Sequence, residues 1–403
     1  MQQPKNESVR NYAPQDTETK SVKKALSQMA QEKIEIPLFI GGKEIRTGKT
    51  KKVVMPHDRQ KVLAEFHQAG PAEMEQAVQA SHQAKKEWER LDGATRAAVF
   101  LKAADLIAGE YRDVLNAATM LGQSKNIFQA EIDAACELID FLRFNAYFYQ
   151  EIQKDQPLSV PGLKNSLEYR ALEGFVFAIT PFNFTAIAGN LPAAPALIGN
   201  TVVWKPSDTQ MLSAYYTYRI FEKAGLPAGV INMIGAEGPE AGATLLPHRD
   251  LAGVHFTGST GTFQTIFKTI GSNISNYRSY PRIVGETGGK DFIFAHASAD
   301  VDVLVTAIVR GAFEYQGQKC SAASRVYIPQ NLWPSVKEKL IEQVKTIKVG
   351  DVQDFSNFMN AVIDERSYKK ITGFIKEARA SSDAEIIVGG NFSDEVGYLL
   401  IQQ

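Results

Sequence analysis

Between Gly174 and Phe256 the chain repeats short apolar runs, separated by segments with helical periodicity. The runs are 175–180, 201–204, 230–234 and 251–256, and the helical patterns cover 209–224, 239–246 and 260–271. Continuous apolar strands that alternate with helices are typical of a parallel sheet covered on both faces. The pattern predicts a doubly wound, Rossmann-like α/β region, which can bind a nucleotide beyond the ends of its strands.

A second series of strand and helix patterns begins at Asp291. Its predicted strands cover 292–295 and 325–328, and its predicted helices cover 301–313 and 333–347. Before Gly174, apolar residues recur at helical spacing in three stretches, 74–88, 99–107 and Ile132 to Leu142, which predicts three helices with buried stripes. We therefore divide the chain into a polar lead-in (1–34), a nucleotide-binding domain with N-terminal helices (35–290) and a second α/β domain (291–403).

The bulk properties exclude several classes of protein. The 403 residues carry a formal net charge of −1, so charge does not draw the chain to nucleic acid or to an anionic membrane. No apolar run reaches the ~18 residues of a membrane span, and the polar N-terminus lacks the apolar stretch of a signal peptide. Two cysteines, Cys136 and Cys320, are too few for a disulfide framework or a metal knuckle. We expect no metal and a reducing compartment, the cytoplasm or, in a eukaryote, the mitochondrial matrix.

Cys320 is the strongest candidate for a nucleophile. It lies in the stretch GQKCSAA (317–323), whose small and polar residues leave a thiol sterically open. A thiolate can attack a carbonyl carbon, and the tetrahedral product carries an oxyanion that needs hydrogen-bond donors. The alternative for a free cysteine is a buried structural position.

Two other motifs supply the remaining groups that acyl chemistry requires. Glu286 lies among glycines in VGETGG (284–289), where a carboxylate can activate the thiol or direct water onto a thioester. Asn183 follows a predicted buried strand in PFNF (181–184), where its amide, with the backbone N–H of Cys320, can hold an oxyanion. Turn or capping roles are the alternatives for both residues.

The nucleotide-binding signal is weaker than the catalytic one. No G-x-G-x-x-G fingerprint occurs, and the GGK run is not a P-loop, because Val284 and Asp291 replace that motif's first Gly and its Ser or Thr. FTGSTGT (256–262) instead joins a predicted strand to a predicted helix, where backbone N–H groups and the helix dipole suit a pyrophosphate. The candidate ligands are Gly258, Ser259, Thr260, Gly261 and Thr262. The alternative for this motif is an ordinary helix N-cap.

Along the chain the motif of Asn183 comes first, that of Glu286 second and that of Cys320 third. These motifs and their order resemble those of the aldehyde dehydrogenase superfamily. The resemblance runs from about residue 35 to the end of the sequence and implies an NAD-binding domain followed by a catalytic domain. It adds Thr180, Lys205 and Ser207 to the expected NAD site. Asp208 falls where NAD-preferring relatives carry a glutamate, and a carboxylate there repels the 2′-phosphate of NADP. Phe263 occupies the place of a glycine that usually follows in the family's pyrophosphate turn.

Four stretches are most similar to the branch of the family that oxidises L-glutamate γ-semialdehyde, formed from 1-pyrroline-5-carboxylate in proline breakdown. They are AEIDAACELIDF (130–141), FNA (144–146), TPFNFTAI (180–187) and FEYQGQKCSA (313–322). On this resemblance Ser321 would hydrogen-bond the substrate carboxylate, Phe184 would pack on its aliphatic part, and Glu137 would lie near its amino group. A glutamate on an otherwise apolar helical stripe fits a polar substrate.

The sequence ends before three segments that the resemblance implies: EIFGP, a loop that grips the substrate carboxylate, and a C-terminal strand. The family uses this C-terminal strand in oligomerisation, so full-length relatives are expected to be homo-oligomers. We accordingly expect a catalytic domain that is truncated, with low stability and a tendency to aggregate.

Three other interpretations remain open at this stage. An acylating dehydrogenase would pass the acyl group to coenzyme A, although a base that activates water would waste the thioester. A cysteine hydrolase or acyltransferase would need a histidine base, and the six histidines show no matching signature. An inactive, truncated fragment would at most bind nucleotide.

Overall fold

Three groups of elements follow one another along residues 2–401, the part of the chain that the computed structural model describes. The first contains α1 (Thr17–Met29), β1 (Ile34–Ile36), β2 (Leu38–Ile40), β3 (Lys43–Ile45), β4 (Thr50–Met55), β5 (Asp58–His67), α2 (Pro71–Trp88), α3 (Gly93–Ala108), α4 (Arg112–Gln123), α5 (Ile127–Ala130), a π-helical turn (Glu131–Cys136) and α6 (Glu137–Gln153). The second contains β6 (Phe175–Ile179), α7 (Thr185–Leu197), β7 (Thr201–Lys205), a 3-10 turn (Asp208–Gln210), α8 (Met211–Ala224), β8 (Ile231–Met233), α9 (Gly238–Leu245), β9 (Leu251–Thr257), α10 (Thr260–Ser272) and β10 (Arg282–Glu286). The third contains β11 (Asp291–Phe294), α11 (Val301–Phe313), a 3-10 turn (Glu314–Gly317), β12 (Ala323–Tyr327), α12 (Trp333–Lys345), α13 (Glu365–Ala380), β13 (Asn391–Ser393) and β14 (Leu399–Ile401). No helix in these ranges is long and apolar enough to cross a bilayer.

A seven-stranded sheet forms the centre of the molecule, with strand order β10-β9-β6-β7-β8-β2-β3. Neighbouring strands from β10 to β8 run parallel, whereas β2 pairs antiparallel with β8 and β3. The strands predicted from apolar runs are β6, β7, β8 and β9, and the predicted helices between and after them are α8, α9 and α10. The predicted doubly wound, Rossmann-like α/β fold is therefore confirmed.

Alternate residues of the central strands face two different cores. Val176 and Ala178 of β6 lie in one core, together with residues of α3, α4, α6, α7 and α8. Phe175 and Phe177 lie in the other core, together with residues of α2, α9 and α10. Burial on both faces is the reason why these strands form continuous apolar runs in the sequence. β10, at the exposed edge of the sheet, has no such run.

The second predicted strand and helix series forms a smaller core of its own. β11 and β12 pair in parallel, and α11 and α12 pack with them. The buried residues of this core are Ala295, Leu304, Val305, Ile308 and Val336. Beyond it, β13 and β14 form an antiparallel pair.

Two features of the N-terminal part differ from the simple pattern read from the sequence. The polar segment before residue 35 contains α1, which buries Val22, Leu26 and Met29 against the main core. The third predicted helix begins with the π-helical turn. A π turn holds more residues than an α turn and so changes which side chains point inward. The prediction that Ile132 is buried is therefore wrong, since 44% of this residue is exposed.

Candidate active site

The segment that leads to Cys320 is held in an unusual backbone conformation. Tyr315 and Gln316 have φ angles of 51° and 55°. Residues with a side chain rarely adopt this left-handed region, so surrounding contacts must hold them there. The hydroxyl of Tyr315 donates to the carbonyl of Gln123 at 2.8 Å, and the side-chain amide of Gln316 donates to the carbonyl of Ala361 at 2.7 Å. Contacts with distant parts of the chain therefore fix the loop that carries the thiol.

Cys320 and Glu286 form a hydrogen-bonded pair. β10 ends at Glu286, and the Sγ of Cys320 lies 3.2 Å from the Oε1 of Glu286. Burial raises the pKa of the Cys320 thiol, and the hydrogen bond to Glu286 and the negative charge of Glu286 raise it further. A thiol that donates to a carboxylate is placed to lose its proton to that carboxylate. The structure thus brings together the residues predicted as nucleophile and base.

Asn183 lies beside the loop of the nucleophile. Its Nδ2 donates to the carbonyl of Gln318 at 2.9 Å, two residues before Cys320. An amide nitrogen carries two protons, so one remains for another acceptor. The location agrees with an oxyanion donor, and that role stays a prediction.

A cleft of about 550 Å³ opens at the thiol, and both Cys320 and Glu286 line it. The three predicted substrate contacts, Glu137, Phe184 and Ser321, line the same cleft. They come from α6, from the residue before α7 and from the loop of the nucleophile. Residues that lie far apart in the sequence therefore converge on one wall around the thiol.

Glu137, one of the residues that line this cleft, has a carboxylate oxygen without a hydrogen-bond partner in the described part of the chain. Its Oε2 is buried and has no hydrogen-bond partner among residues 2–401. Burial raises the pKa of Glu137 to about 7, and the negative charge of Asp133 adds to the shift. A buried polar atom without a partner is costly, and a carboxylate oxygen can regain a partner by accepting a hydrogen bond from a ligand ammonium.

A group of charged residues next to Glu137 was missed by sequence reasoning. Lys125 and Asp133 are both buried and hydrogen-bonded to each other. Lys319 lies 3.2 Å from the same Asp133 carboxylate and also lines the cleft. The position of Lys319 next to Cys320 was a usable signal, whereas nothing in the pattern around Lys125 marks it as a buried lysine.

His255 is another lining residue that no motif indicated. Its Nδ1 lies 2.9 Å from the carbonyl of Leu191, and burial lowers its pKa. The side chain that hydrogen-bonds the thiol of Cys320 is the carboxylate of Glu286, which is not the arrangement of a cysteine hydrolase with a histidine base. Within the described residues, no group of three or more His, Cys, Asp or Glu side chains could hold a metal ion.

The carboxyl end of β7 carries part of the predicted cofactor site. Lys205 is buried, its Nζ donates to the carbonyl of Pro206 at 3.0 Å, and burial lowers its pKa. The Oδ1 of Asp208 is also buried, and in the described part of the chain it has no hydrogen-bond partner. Lys51, which sequence reasoning did not select, lies 2.6 Å from the other oxygen of Asp208. The ammonium of Lys205 lies 3.7 Å from this Oδ1. An acceptor without a hydrogen bond at the end of a parallel strand fits a hydroxyl donor such as that of a ribose.

Thr180 and Ser207 lie at the same edge of the sheet, after β6 and β7. The Oγ1 of Thr180 accepts a hydrogen bond from the indole of Trp204 at 3.0 Å. The hydroxyl oxygen of Ser207 lies 3.2 Å from that of Thr209. Both predicted cofactor residues are thus at the strand ends where α/β folds bind nucleotides.

The FTGSTGT motif joins the end of β9 to the first turn of α10. Ser259 is the N-cap residue, and its hydroxyl accepts from the backbone N–H of Thr262 at 3.2 Å. Gly258, Thr260 and Gly261 complete a turn at the end of β9. The helix N-terminus is therefore placed for an anion, although the capping alternative is also fulfilled.

Phe263 fills the place next to this turn. Its ring stacks on Phe256 with centroids 5.9 Å apart. A Cβ atom built on Gly285 would lie 2.2 Å from the same ring. Gly285 is therefore needed because the aromatic ring occupies the space of a side chain.

The parallel sheet and the cysteine–glutamate pair are the features expected of an α/β dehydrogenase of the aldehyde-oxidising class, and the comparisons with known proteins agree with that class. The model of the aldehyde dehydrogenase family matches residues 44–401. The chain belongs to the aldehyde dehydrogenase family, as the sequence motifs predict.

Its relatives identify a particular branch. The mitochondrial Delta-1-pyrroline-5-carboxylate dehydrogenase of Dictyostelium discoideum is 51% identical over 400 residues, which cover 98% of this chain and 72% of that protein. The human mitochondrial enzyme of the same name is 46% identical over 396 residues, with 98% and 70% covered.

Solved structures give the same result. The Delta-pyrroline-5-carboxylate dehydrogenase of Mycobacterium tuberculosis bound with NAD has a TM-score of 0.97 and 49% identity, and the match covers 99% of this chain and 76% of that one. The 1-pyrroline-5-carboxylate dehydrogenase from Thermus with bound NAD has a TM-score of 0.93 and 28% identity, with 99% and 77% covered. The relatives and the structural neighbours thus carry the name of the branch predicted from the sequence.

Proposed function

We propose that the protein oxidises L-glutamate γ-semialdehyde, the open form of 1-pyrroline-5-carboxylate, to L-glutamate with NAD. The observation that carries this proposal is the Cys320–Glu286 pair, 3.2 Å apart, in a cleft that is also lined by Glu137, whose buried Oε2 accepts no hydrogen bond from the described residues. The names of the relatives and the NAD in two of the similar structures support the reaction and the cofactor.

The proposed reaction uses Cys320 as nucleophile and Glu286 as base. Glu286 takes the thiol proton, and the Sγ of Cys320 attacks the aldehyde carbon. The amide of Asn183 and the backbone N–H of Cys320 hold the oxyanion. When bound, NAD supplies the acceptor for the hydride that leaves this carbon, and a thioester on Cys320 remains. Glu286 then releases the thiol proton to solvent, takes a proton from water as the water attacks the thioester, and returns that proton to the departing Sγ of Cys320, which releases the acid and restores the thiol.

The cofactor residues fit NAD at two places. Lys205, Ser207 and Asp208 would hold the adenosine ribose, since the Oδ1 of Asp208 accepts no hydrogen bond from the described residues and can accept one from a ribose hydroxyl. Residues 258–262 would place the backbone N–H groups of α10 against the pyrophosphate. Thr180, directly after β6, would also contact NAD, as the resemblance to the family implies.

The substrate has an α-ammonium, an α-carboxylate and a short aliphatic chain. Glu137 offers the ammonium an unpaired acceptor. Ser321, next to the nucleophile, offers a hydroxyl donor to the carboxylate, and the ring of Phe184 offers the chain an apolar surface. Each part of the substrate therefore has a chemically matched side chain in the cleft.

The proposed domains meet at the site, because Glu286 belongs to the NAD-binding domain (35–290) and Cys320 to the catalytic domain (291–403).

We place the protein in the cytoplasm, with the mitochondrial matrix as the alternative supported by the names of several relatives. Transfer of the acyl group to coenzyme A is disfavoured because Glu286 lies where it can activate water.

The proposal is tested by NADH formation with NAD and 1-pyrroline-5-carboxylate, with propanal as a generic aldehyde. We expect a higher kcat/KM for 1-pyrroline-5-carboxylate, complete loss in Cys320→Ala, and retained activity in Cys136→Ser, which changes the buried second cysteine. Equal kcat/KM for both aldehydes, or activity in Cys320→Ala, would contradict the proposed substrate or the proposed nucleophile.

A further inference from the structure

The cleft of the proposed active site contains more charge than the proposed reaction uses. Asp133 lies in the π-helical turn, is 4% exposed, and stands four residues before Glu137. Its Oδ2 accepts a hydrogen bond from Lys125 and lies 3.2 Å from the ammonium of Lys319. One buried carboxylate therefore holds two lysines.

Both lysines lie beside Phe184, a residue that lines the cleft. The ammonium of Lys125 lies 4.3 Å from the ring centroid of Phe184, and that of Lys319 lies 5.5 Å from it. Cations at these distances interact favourably with an aromatic face. Lys319 also precedes Cys320 directly and lines the cleft.

The ammonium of Lys319 has the same charge as the ammonium of an α-amino acid, so the two can compete for the carboxylate of Glu137. The positive charge of Lys319 lowers the pKa of Glu137, so the two groups interact electrostatically. The partners of Lys319 are nevertheless Asp133, at 3.2 Å, and Glu314, at 3.4 Å. The Oε2 of Glu137 stays unpaired among the described residues. Glu137 and Lys319 line the same cleft, so a Lys319 ammonium released from Asp133 has in Glu137 a carboxylate with an oxygen that accepts no hydrogen bond from the described residues.

We propose that Asp133 is a positioning residue that keeps the Lys319 ammonium away from Glu137, so that Glu137 remains free for the ammonium of an α-amino acid substrate. This inference rests on the proposed function and adds a selectivity device to it. Asp133 itself does not contact the substrate. Its effect is specific to ligands with an ammonium, because a ligand without one does not compete with Lys319 for Glu137.

The test compares binding of L-glutamate with binding of glutarate, which has the same two carboxylates but no amino group. Isothermal titration calorimetry measures both dissociation constants without any need for turnover. We expect the wild-type chain to prefer L-glutamate. In Asp133→Asn we expect L-glutamate to bind more weakly by on the order of tenfold, with glutarate unchanged, while Asp133→Glu keeps the preference.

Two further variants separate positioning from folding. Glu131→Gln changes another buried acid of the same π turn, which is bound by Tyr12, Asn116 and Arg112 and does not line the cleft. It should leave the preference for L-glutamate intact. If Asp133→Asn does not fold, Lys319→Met decides: the preference should persist, because the lysine held away from Glu137 takes no part in binding.

The outcomes distinguish this inference from the proposed function. A wild-type chain without preference for L-glutamate contradicts the proposed function and the inference with it. A wild-type preference that Asp133→Asn preserves, that Glu131→Gln also abolishes, or that Lys319→Met destroys contradicts the inference alone.

Discussion

A Cβ atom built on Gly289 would lie 2.4 Å from the carbonyl oxygen of Cys320. The backbone that follows Glu286 therefore runs directly against the backbone of the nucleophile. Such a close approach is possible only for glycine. This contact joins the segment after Glu286 to the loop that carries the thiol, and it accounts for the glycine at position 289.

Gly289→Ala should displace the loop of Cys320. We expect kcat to fall by about tenfold or more, because small shifts in a catalytic group are costly, and the free energy of unfolding to fall by about 1–3 kcal/mol. Gly288→Ala is the matched control, since its added methyl would meet no atom within 4 Å. Steady-state kinetics and thermal unfolding check both variants, and equal activity of the two would refute the contact.

Removal of the Glu286 carboxylate should make the thiol easier to ionise. A negative charge beside a thiol disfavours the thiolate, so Glu286→Gln should lower the pKa of Cys320. The rate of alkylation by iodoacetamide against pH measures this shift. Burial raises the pKa of the other thiol, Cys136, to about 12, so its background reaction is small. An alkylation profile that stays in place or moves to higher pH would be inconsistent with the pair.

Binding of L-glutamate should strengthen as the pH rises through about 7, where Glu137 loses its proton. The sign follows from charge: the protonated acid is neutral, and only the carboxylate attracts the ligand ammonium. Inhibition by L-glutamate, measured as a function of pH, gives the profile. Glu137→Gln should flatten it, and a wild-type profile that already matches that of the variant would show that Glu137 is not the responsible group.

The chain should prefer NAD to NADP. The carboxylate of Asp208 would repel the 2′-phosphate of NADP, and Lys51, 2.6 Å away, offsets part of this charge. Asp208→Asn should raise the ratio of kcat/KM for NADP to that for NAD by about tenfold, equivalent to ~1.4 kcal/mol. Lys51→Met should change this ratio in the opposite direction. Comparable use of both cofactors by the wild-type chain would contradict the role of Asp208.

The central fold could be predicted because β6, β7, β8 and β9 are buried on both faces and therefore form uninterrupted apolar runs. β10 could not, because it is an exposed edge strand with Arg282 and Glu286 at its ends. α7 escaped prediction because Pro192 and Pro195 lie inside it, and proline normally argues against a helix.

The residues of the candidate site also fall into two groups, those that the sequence could indicate and those that it could not. Cys320, Glu286 and Asn183 stand in local motifs, so short stretches of sequence could indicate their chemistry. Lys125 and Asp133 are important only because distant elements bring them to Phe184 and Lys319, and a buried ion pair has no local pattern. The π turn that carries Asp133 could not be predicted either, because amino-acid composition does not show where a π turn replaces an α turn.

The most direct test of the account is the fate of the acyl group in Glu286→Gln, treated with NAD and 1-pyrroline-5-carboxylate. The variant lacks both the base for the thiol and the base that directs water, but its thiol ionises more easily without the Glu286 charge. We therefore predict that attack and hydride loss continue, with a burst of about one NADH per site, and that the acyl adduct is stable. Peptide mass spectrometry should locate that adduct on Cys320. Undiminished steady turnover without an adduct, or an adduct on another residue, would contradict the assignment of Cys320 and Glu286 as nucleophile and base.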